Sequence, residues 1–252
     1  EHGYALLTSR TGGGYWESGS AGRGAGVVAV LTGDLSGIHH HTDSLGLQVF
    51  AAGRLWTEDV ESRAVEGHPF SAPIQRAFNL TVLAHNTVMV DRQDQRRIDR
   101  PLVVTEFKEL PSCRTVTMAD RQGRVYDGVL MMRSIAVTPD YCLDLYQVRS
   151  DVERTYDWLV HPRSDGPARC DLDFSQAPPS GEGELSWAAL RNVASAAVDA
   201  GGVTLSWTQD GVVFRLDVAT GLAATVLRAE WPVASDWSEG GREMFAYRVR
   251  CR

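Results

Sequence analysis

The sequence predicts a large antiparallel β-sandwich of the supersandwich type, with few or no helices, in a single domain of 252 residues. Apolar and polar residues alternate with a period of two along a dozen short stretches, which is typical of half-buried strands. Turn-forming residues separate these stretches at regular intervals, and long runs with a helical period are scarce. A chain of this length can bury one all-β core without dividing into domains.

The predicted strands run through most of the chain. They cover residues 26–31, 45–51, 80–90, 102–107, 114–118, 129–137, 141–148, 156–160, 202–207, 212–218, 223–230 and 243–250. Pro139-Asp140, Gly201-Gly202 and Asp210-Gly211 are turn dipeptides between them. Residues 188–200, which follow a loop rich in proline and glycine, are the one stretch that could form a short helix.

Charge and cysteine content narrow the possible functions. The net charge is −7, and no basic stripe is present, so nothing favours nucleic acid as a partner. No apolar run reaches the length that spans a bilayer. The four cysteines are scattered, which leaves both disulfides and free thiols open, with free thiols favoured.

Three of the seven histidines are consecutive, at His39, His40 and His41. On an extended strand, His39 and His41 point to the same face. Asp59 and His85 lie further along the chain, each in a strand-like stretch. Two imidazoles and a carboxylate on adjacent strands suit zinc with an open fourth position, or another transition metal. The alternative is that His41 and His85 are core histidines hydrogen-bonded to Asp59.

Three short segments in a fixed order resemble the heparinase II/III-like domain of polysaccharide lyases, which includes heparinases and alginate lyases. GIHHHTDSL at 37–45 is similar to the family's H-x-H-x-D motif, GRLWTED at 53–59 to its next strand, and HNTV at 85–88 to its H-N-T strand. RSI at 133–135 and YDWLVH at 156–161 resemble later sandwich strands. The resemblance extends from residue 26 to residue 161 and covers the sandwich portion only.

The resemblance implies roles for four residues. By position in the motifs, His41, Asp59 and His85 would hold a zinc ion that organises the site, and His39 would face the substrate and act in catalysis. His40 departs from the small residue common at its position. The resemblance also implies a secreted or periplasmic location in a bacterium.

Lyases of this family cleave uronic-acid polysaccharides by β-elimination. The uronate carboxylate must be neutralised, a base must remove the C5 proton, and an acid must protonate the leaving O4. The family's remaining catalytic groups come from a helical toroid that precedes the sandwich, so a toroid in cis or on a separate chain is the expected partner. The isolated chain is therefore expected to have little or no lyase activity.

Four other residues are candidates for contact with an anionic polysaccharide or oligosaccharide. Tyr15 and Trp16 could stack on sugar rings or anchor their glycine-rich loop. Asp43 could orient an imidazole, accept a substrate hydroxyl or cap a turn. Arg97 belongs to an arginine cluster that could meet the anionic polymer or form a solvated hairpin.

Two rival functions share these features. A cupin-like metal oxygenase also combines an HxH motif, an acid and a distant histidine on a β scaffold. A non-catalytic sandwich could bind carbohydrate and use zinc only for stability. Substitution of His39 separates the catalytic hypothesis from the structural one.

Overall fold

The computed structural model describes residues 3–9, 27–33, 41–176 and 189–252, whose strands form four antiparallel sheets. In chain order the described strands are β1 Tyr4–Thr8, β2 Val28–Thr32, β3 Gly46–Ala51, β4 Arg54–Thr57, β5 Val88–Val90, β6 Val103–Glu109, β7 Arg114–Asp120, β8 Val129–Val137, β9 Cys142–Ser150, β10 Arg154–Val160, β11 Arg169–Cys170, β12 Ser175–Gln176, β13 Arg191–Val198, β14 Val203–Gln209, β15 Val212–Val218, β16 Ala224–Pro232 and β17 Gly241–Cys251. The predicted fold class, an all-β sandwich, is confirmed.

The strand order within each sheet shows which strands are neighbours. Two four-stranded sheets have the orders β1-β2-β3-β4 and β6-β7-β8-β9. A six-stranded sheet has the order β12-β13-β16-β17-β10-β5, and β11-β14-β15 form the fourth sheet. Strands β1 and β2 lie against β7 and β8, so the first two sheets are in contact.

Two predicted elements are wrong. The helix predicted over residues 188–200 is wrong, because residues 191–198 make strand β13, in which Ala194, Ala196 and Val198 are buried at every second position. Residues 80–90 are not one long strand, because only Val88–Val90 pair with β10. The preceding residues form a 3-10 turn at Val82–Ala84, after a π-helix at Gln75–Asn79.

The main core lies between the sheets and contains side chains from all four of them. Its largest fully buried members include Trp56 and Trp207, which both contact the ring of Phe214 at centroid distances of 5.3 and 4.7 Å. The indole N–H of Trp207 donates to the carbonyl of Trp56 at 3.0 Å. These contacts fix strand β4, and therefore the residues that follow it, against the β14-β15 hairpin.

A second core covers the other face of the six-stranded sheet. Residues 60–84, which include the π-helix, pack their apolar side chains against β10, β16 and β17. Phe78 is fully buried there and stacks on Trp231 with 5.9 Å between ring centroids. The long segment after β4 is therefore held firmly, and it leads directly to His85.

All four cysteines are free thiols, as favoured from the sequence. Burial raises the pKa of the Cys142 thiol to about 12, so this cysteine stays protonated and unreactive at neutral pH. Within the residues that the structure describes, every helix is too short to traverse a bilayer.

Replacement of Phe78 by alanine is expected to lower the free energy of unfolding by about 3–5 kcal/mol, because it removes a fully buried aromatic ring and leaves a cavity. Urea denaturation followed by circular dichroism measures the change. Phe70, which is 68% exposed, is the matched control, and its replacement by alanine should change stability by no more than about 0.5 kcal/mol. Equal losses of stability in the two variants would contradict the burial of Phe78 in the second core.

Candidate functional site

His41 begins a short segment that is anchored at every following residue. The Thr42 N–H donates to the carbonyl of Leu80 at 3.1 Å, and its hydroxyl lies 2.6 Å from Asp94 Oδ1. The side-chain amide of Gln95 accepts from the N–H of Ser44 at 2.8 Å and donates to its carbonyl at 3.2 Å. These bonds therefore fix the segment relative to Asp94 and Gln95, which follow β5.

Asp59 and His85 are placed side by side by the backbone on each side of Asp59. The N–H of Glu58 donates to the carbonyl of His161 at 3.2 Å, and the N–H of Val60 donates to the carbonyl of Ala84 at 3.1 Å. These two bonds align the end of β4 with the end of the 3-10 turn. His85 then follows in an extended conformation and is 2% exposed.

The three predicted metal ligands lie in one cluster. His85 Nδ1 is 3.5 Å from Asp59 Oδ1, and the rings of His41 and His85 have centroids 5.2 Å apart, tilted by 51°. Both ring nitrogens of His85 and Oδ1 of Asp59 are buried and lack a hydrogen-bond partner within the described structure. Buried polar atoms without a hydrogen-bond partner are rare in folded proteins, so these atoms are candidates for binding a ligand.

The electrostatics of the cluster favour a positive charge at its centre. Burial lowers the pKa of His85, but its pairing with Asp59 and the nearby carboxylates of Asp43 and Asp94 outweigh burial and raise it. Burial raises the pKa of Asp59, but its pairing with His85 and the neighbouring Gln48 side chain outweigh burial and lower it. The pairing of His85 with Asp59 therefore favours the protonated ring beside an ionised carboxylate.

These residues fit a zinc ion in donor type, and the distance between the two histidine rings suits it, although the three side chains together do not form a finished site. Two imidazoles that share a tetrahedral ion at their usual bond length have ring centroids roughly 5 Å apart, and His41 and His85 meet this spacing. Within the described ranges, however, no group of three His, Cys, Asp or Glu side chains already has the arrangement that could hold a metal. Binding would therefore require the side chains of the cluster to adjust.

The residues predicted to act in catalysis or to contact substrate lie in different parts of the chain. Asp43 is buried beside His85, and its carbonyl accepts the N–H of Gly46 at 2.8 Å in the turn that leads to β3. Arg97 is exposed, two residues after Gln95. His39, Tyr15 and Trp16 lie outside the described residues, and their roles stay predictions.

Several polar residues of the site were missed by the sequence analysis. Asn86 is 2% exposed and donates through its side chain to the carbonyl of Glu58 at 2.9 Å, while its Oδ1 accepts from the N–H of His161 at 2.8 Å. His161 is fully buried, and its Nε2 donates to the carbonyl of Leu83 at 2.8 Å. The H-N-T pattern contained Asn86, but no local pattern identified its partners.

Tyr4 also belongs to the neighbourhood of the site. It is 51% exposed on β1, and burial, followed by the negative charges of Asp43 and Asp59, raises the pKa of its phenol. Tyr4 faces Thr32 on β2, which in turn faces Gly46 on β3. Its hydroxyl is therefore a protonated group on the solvent side of the cluster.

Comparison of the sequence with protein-family models and with curated proteins gives no match. Comparison of the structure with solved structures gives several matches. A crystal structure of heparinase III matches with a TM-score of 0.63 at 12% identity, over 100% of this chain and 33% of that chain. Heparan sulfate lyase HepC from Pedobacter heparinus matches with a TM-score of 0.57 at 14% identity, over 89% of this chain and 30% of that chain.

These likenesses define the class of fold. The chain is a β-sandwich of the kind found in heparinase and heparan sulfate lyase structures, and it spans about a third of the length of those chains. A further heparinase III structure matches over 100% of this chain with a TM-score of 0.55 at 11% identity. At such identities the likeness concerns the fold alone.

The environment of His161 makes a pH-dependent contribution to stability. Burial, and to a smaller extent the charge of His85, lower the pKa of its imidazole to about 3. Because an unfolded histidine titrates near 6.5, the unfolded state takes up a proton first as the pH falls. The contribution of His161 to the free energy of unfolding is therefore fully present above about pH 6.5, and it is lost as the pH falls from about 6.5 to about 3.

Replacement of His161 by glutamine should remove this dependence, since an amide can still donate to the carbonyl of Leu83. Between pH 6 and 4 the unfolding free energy of the natural protein should fall more steeply than that of the variant, by up to about 1.4 kcal/mol per pH unit. Denaturant unfolding at several pH values measures both slopes. His68→Gln, at an exposed position, should keep the natural slope, and identical slopes for His161→Gln and the natural protein would refute a neutral His161.

Proposed function

We infer that this chain is the metal-binding β-sandwich domain of a uronic-acid polysaccharide lyase that acts by β-elimination. One observation carries the proposal: His85 is buried directly beside Asp59 and His41, its Nε2 has no hydrogen-bond partner among the described residues, and its Nδ1 has only the 3.5 Å approach to Asp59 Oδ1. A buried ring nitrogen without a hydrogen-bond partner costs free energy unless a ligand satisfies it. The shared fold with heparinase III and HepC supports the choice of lyase chemistry.

The proposed ligands of the metal are His41, Asp59 and His85, and zinc is the proposed ion. Two neutral imidazoles and one carboxylate match the donor preference of zinc and leave a fourth position open. Zinc, when bound, would supply positive charge beside the carboxylates that raise the pKa of His85, in place of a proton on its ring. The surrounding hydrogen bonds of Thr42, Ser44 and Asn86 would keep the ligand-bearing segments in place.

The proposed reaction has three proton and charge requirements. A base removes the C5 proton of the uronate, the C4–C5 double bond forms, and the C4–O4 bond breaks as an acid protonates O4. His39, two residues before His41, is the proposed acid or base, since an imidazole titrates near neutrality. The groups that neutralise the carboxylate would come from a helical toroid, in cis or on a separate chain.

Substrate contact is proposed for residues around this site. The carboxylates of Asp43, Asp59 and Asp94 make the cluster itself acidic, so an anionic polysaccharide needs positive charge nearby. Arg97 is exposed close to Gln95, whose side chain binds Ser44 of the His41 segment, and is proposed to supply it. Tyr15 and Trp16 are proposed to stack on sugar rings. Such an enzyme would act in the periplasm or outside a bacterial cell.

Zinc binding tests the metal part of the proposal. The 252-residue chain should bind one zinc ion in a titration against a chromophoric chelator. Alanine at His41, Asp59 or His85 should weaken binding by more than about 100-fold, because each removes one of three protein ligands. His68→Ala, at an exposed position, is the control and should bind zinc like the natural protein. Failure of the natural chain to bind zinc would exclude the proposed site.

His39 separates a lyase from a non-catalytic sandwich. In the enzyme reconstituted with its helical partner domain, His39→Ala should reduce the formation of unsaturated, ultraviolet-absorbing product by about 100-fold or more. Zinc affinity and the unfolding midpoint should stay unchanged, because His39 is not a proposed ligand. Full turnover by this variant would favour a sandwich that only binds carbohydrate.

A further inference from the structure

Arg133 is the largest charged side chain among the fully buried residues that the structure describes. It lies in the middle of β8 and is 0% exposed. A buried guanidinium is costly unless its charge is paired and its donors are bonded. Asp144 on β9 supplies the charge through two bonds, at 2.9 Å from Nε and 2.6 Å from Nη2, and the ring of Tyr146 lies 5.0 Å from the guanidinium carbon.

The third nitrogen of the guanidinium, Nη1, binds backbone carbonyls and not Asp144. Nη1 donates to the carbonyl of Asn86 at 2.7 Å and to the carbonyl of Leu45. Asn86 directly follows His85, and Leu45 ends the anchored segment that begins at His41. One planar cation therefore joins the two stretches of chain that carry the histidines of the site, through their backbone carbonyls.

Leu45 has a backbone conformation that requires such support. Its φ angle is 60°, in the left-handed region that non-glycine residues rarely adopt, and its side chain is fully buried. A conformation of this kind costs about 1–3 kcal/mol and persists only where surrounding bonds fix it. The N–H of Leu45 donates to Thr32 at 2.8 Å, and its carbonyl is the one that Arg133 binds.

A second link runs parallel to the first. The hydroxyl of Thr87 donates to the carbonyl of Ser44 at 2.7 Å and lies 3.2 Å from the hydroxyl of Tyr146. Burial raises the pKa of the Tyr146 phenol, which therefore stays protonated. Arg133, Asp144 and Tyr146 thus form a rigid polar platform of β8 and β9 beneath the site.

We propose that Arg133 is a positioning residue that sets the affinity of the metal site, by fixing the His41–Leu45 segment relative to His85 through the two carbonyl groups. This role rests on the proposed function, since it requires that His41 and His85 share an ion. Lysine cannot replace Arg133, because a single ammonium group cannot bind both carbonyls and also pair with Asp144 through two parallel bonds.

The test compares zinc affinity with stability in four forms of the 252-residue chain: natural, Arg133→Met, Arg133→Lys and Arg248→Met. Arg248 is the matched control, because it is a largely buried arginine that binds Asp157 through two bonds, at 2.6 and 3.0 Å, and joins β17 to β10. Zinc dissociation constants come from chelator competition, and urea unfolding confirms that each variant is folded.

Both Arg133 variants should bind zinc about 10- to 100-fold more weakly than the natural chain, the usual effect of losing a residue that orients metal ligands. Arg248→Met should lose stability but keep its zinc affinity within about twofold. Should Arg133→Met fail to fold, Arg133→Lys, which keeps the charge, decides the question. Unchanged affinity in a folded Arg133 variant overturns the positioning role, as does an equal loss in Arg248→Met. Absence of zinc binding by the natural chain instead removes the proposed function, and the positioning role with it.

Discussion

The hydrogen bonds of Asn86 are the interaction on which the site depends. Its side-chain amide donates to Glu58 at 2.9 Å and accepts from His161 at 2.8 Å, and its own carbonyl accepts from Leu47 at 3.1 Å and from Arg133 at 2.7 Å. Four separate stretches of the chain therefore meet at one buried residue. Because His85 is the preceding residue, its distance from the Asp59 and His41 segments is set by these bonds. Loss of a buried amide's partners costs more than the bonds themselves contribute, so the arrangement is strongly specified.

Charge explains why such a cluster can be stable before it binds a ligand. Burial of His85 opposes a proton on its ring, whereas the carboxylates of Asp59, Asp43 and Asp94 favour the proton and raise the pKa of the ring. A metal ion and a proton compete for the same ring nitrogens, so binding of the ion requires the neutral ring. His161 is the contrast, since its ring is equally buried but bonded to the backbone of Leu83, and its pKa is lowered to about 3. The pKa values of two buried histidines of one site are thus shifted in opposite directions by their neighbours.

The sequence predicted those parts of the molecule that depend on a local pattern. Strands β8 and β15 were predicted with their observed bounds, because alternate residues are more and less buried along them. Residues 191–198 were misassigned, because alanines have little apolar contrast and favour helix intrinsically, and pairing with β16 decides their conformation. Residues 80–87 were misassigned as strand, because residues 81–87 are all buried and their burial has no period. The proximity of His41, Asp59 and His85 was predicted from spacing and resemblance. The bond between Asn86 and Glu58 spans 28 residues and that between Arg133 and Leu45 spans 88, so neither left a local trace in the sequence.

The proposed metal site requires that one ion lies between His41, Asp59 and His85. X-ray diffraction from zinc-soaked crystals of the 252-residue chain, recorded on both sides of the zinc absorption edge, tests this directly. We expect one strong anomalous peak within about 2.0–2.2 Å of a nitrogen of each histidine and an oxygen of Asp59. A map without such a peak, or a peak coordinated by other residues, would contradict it.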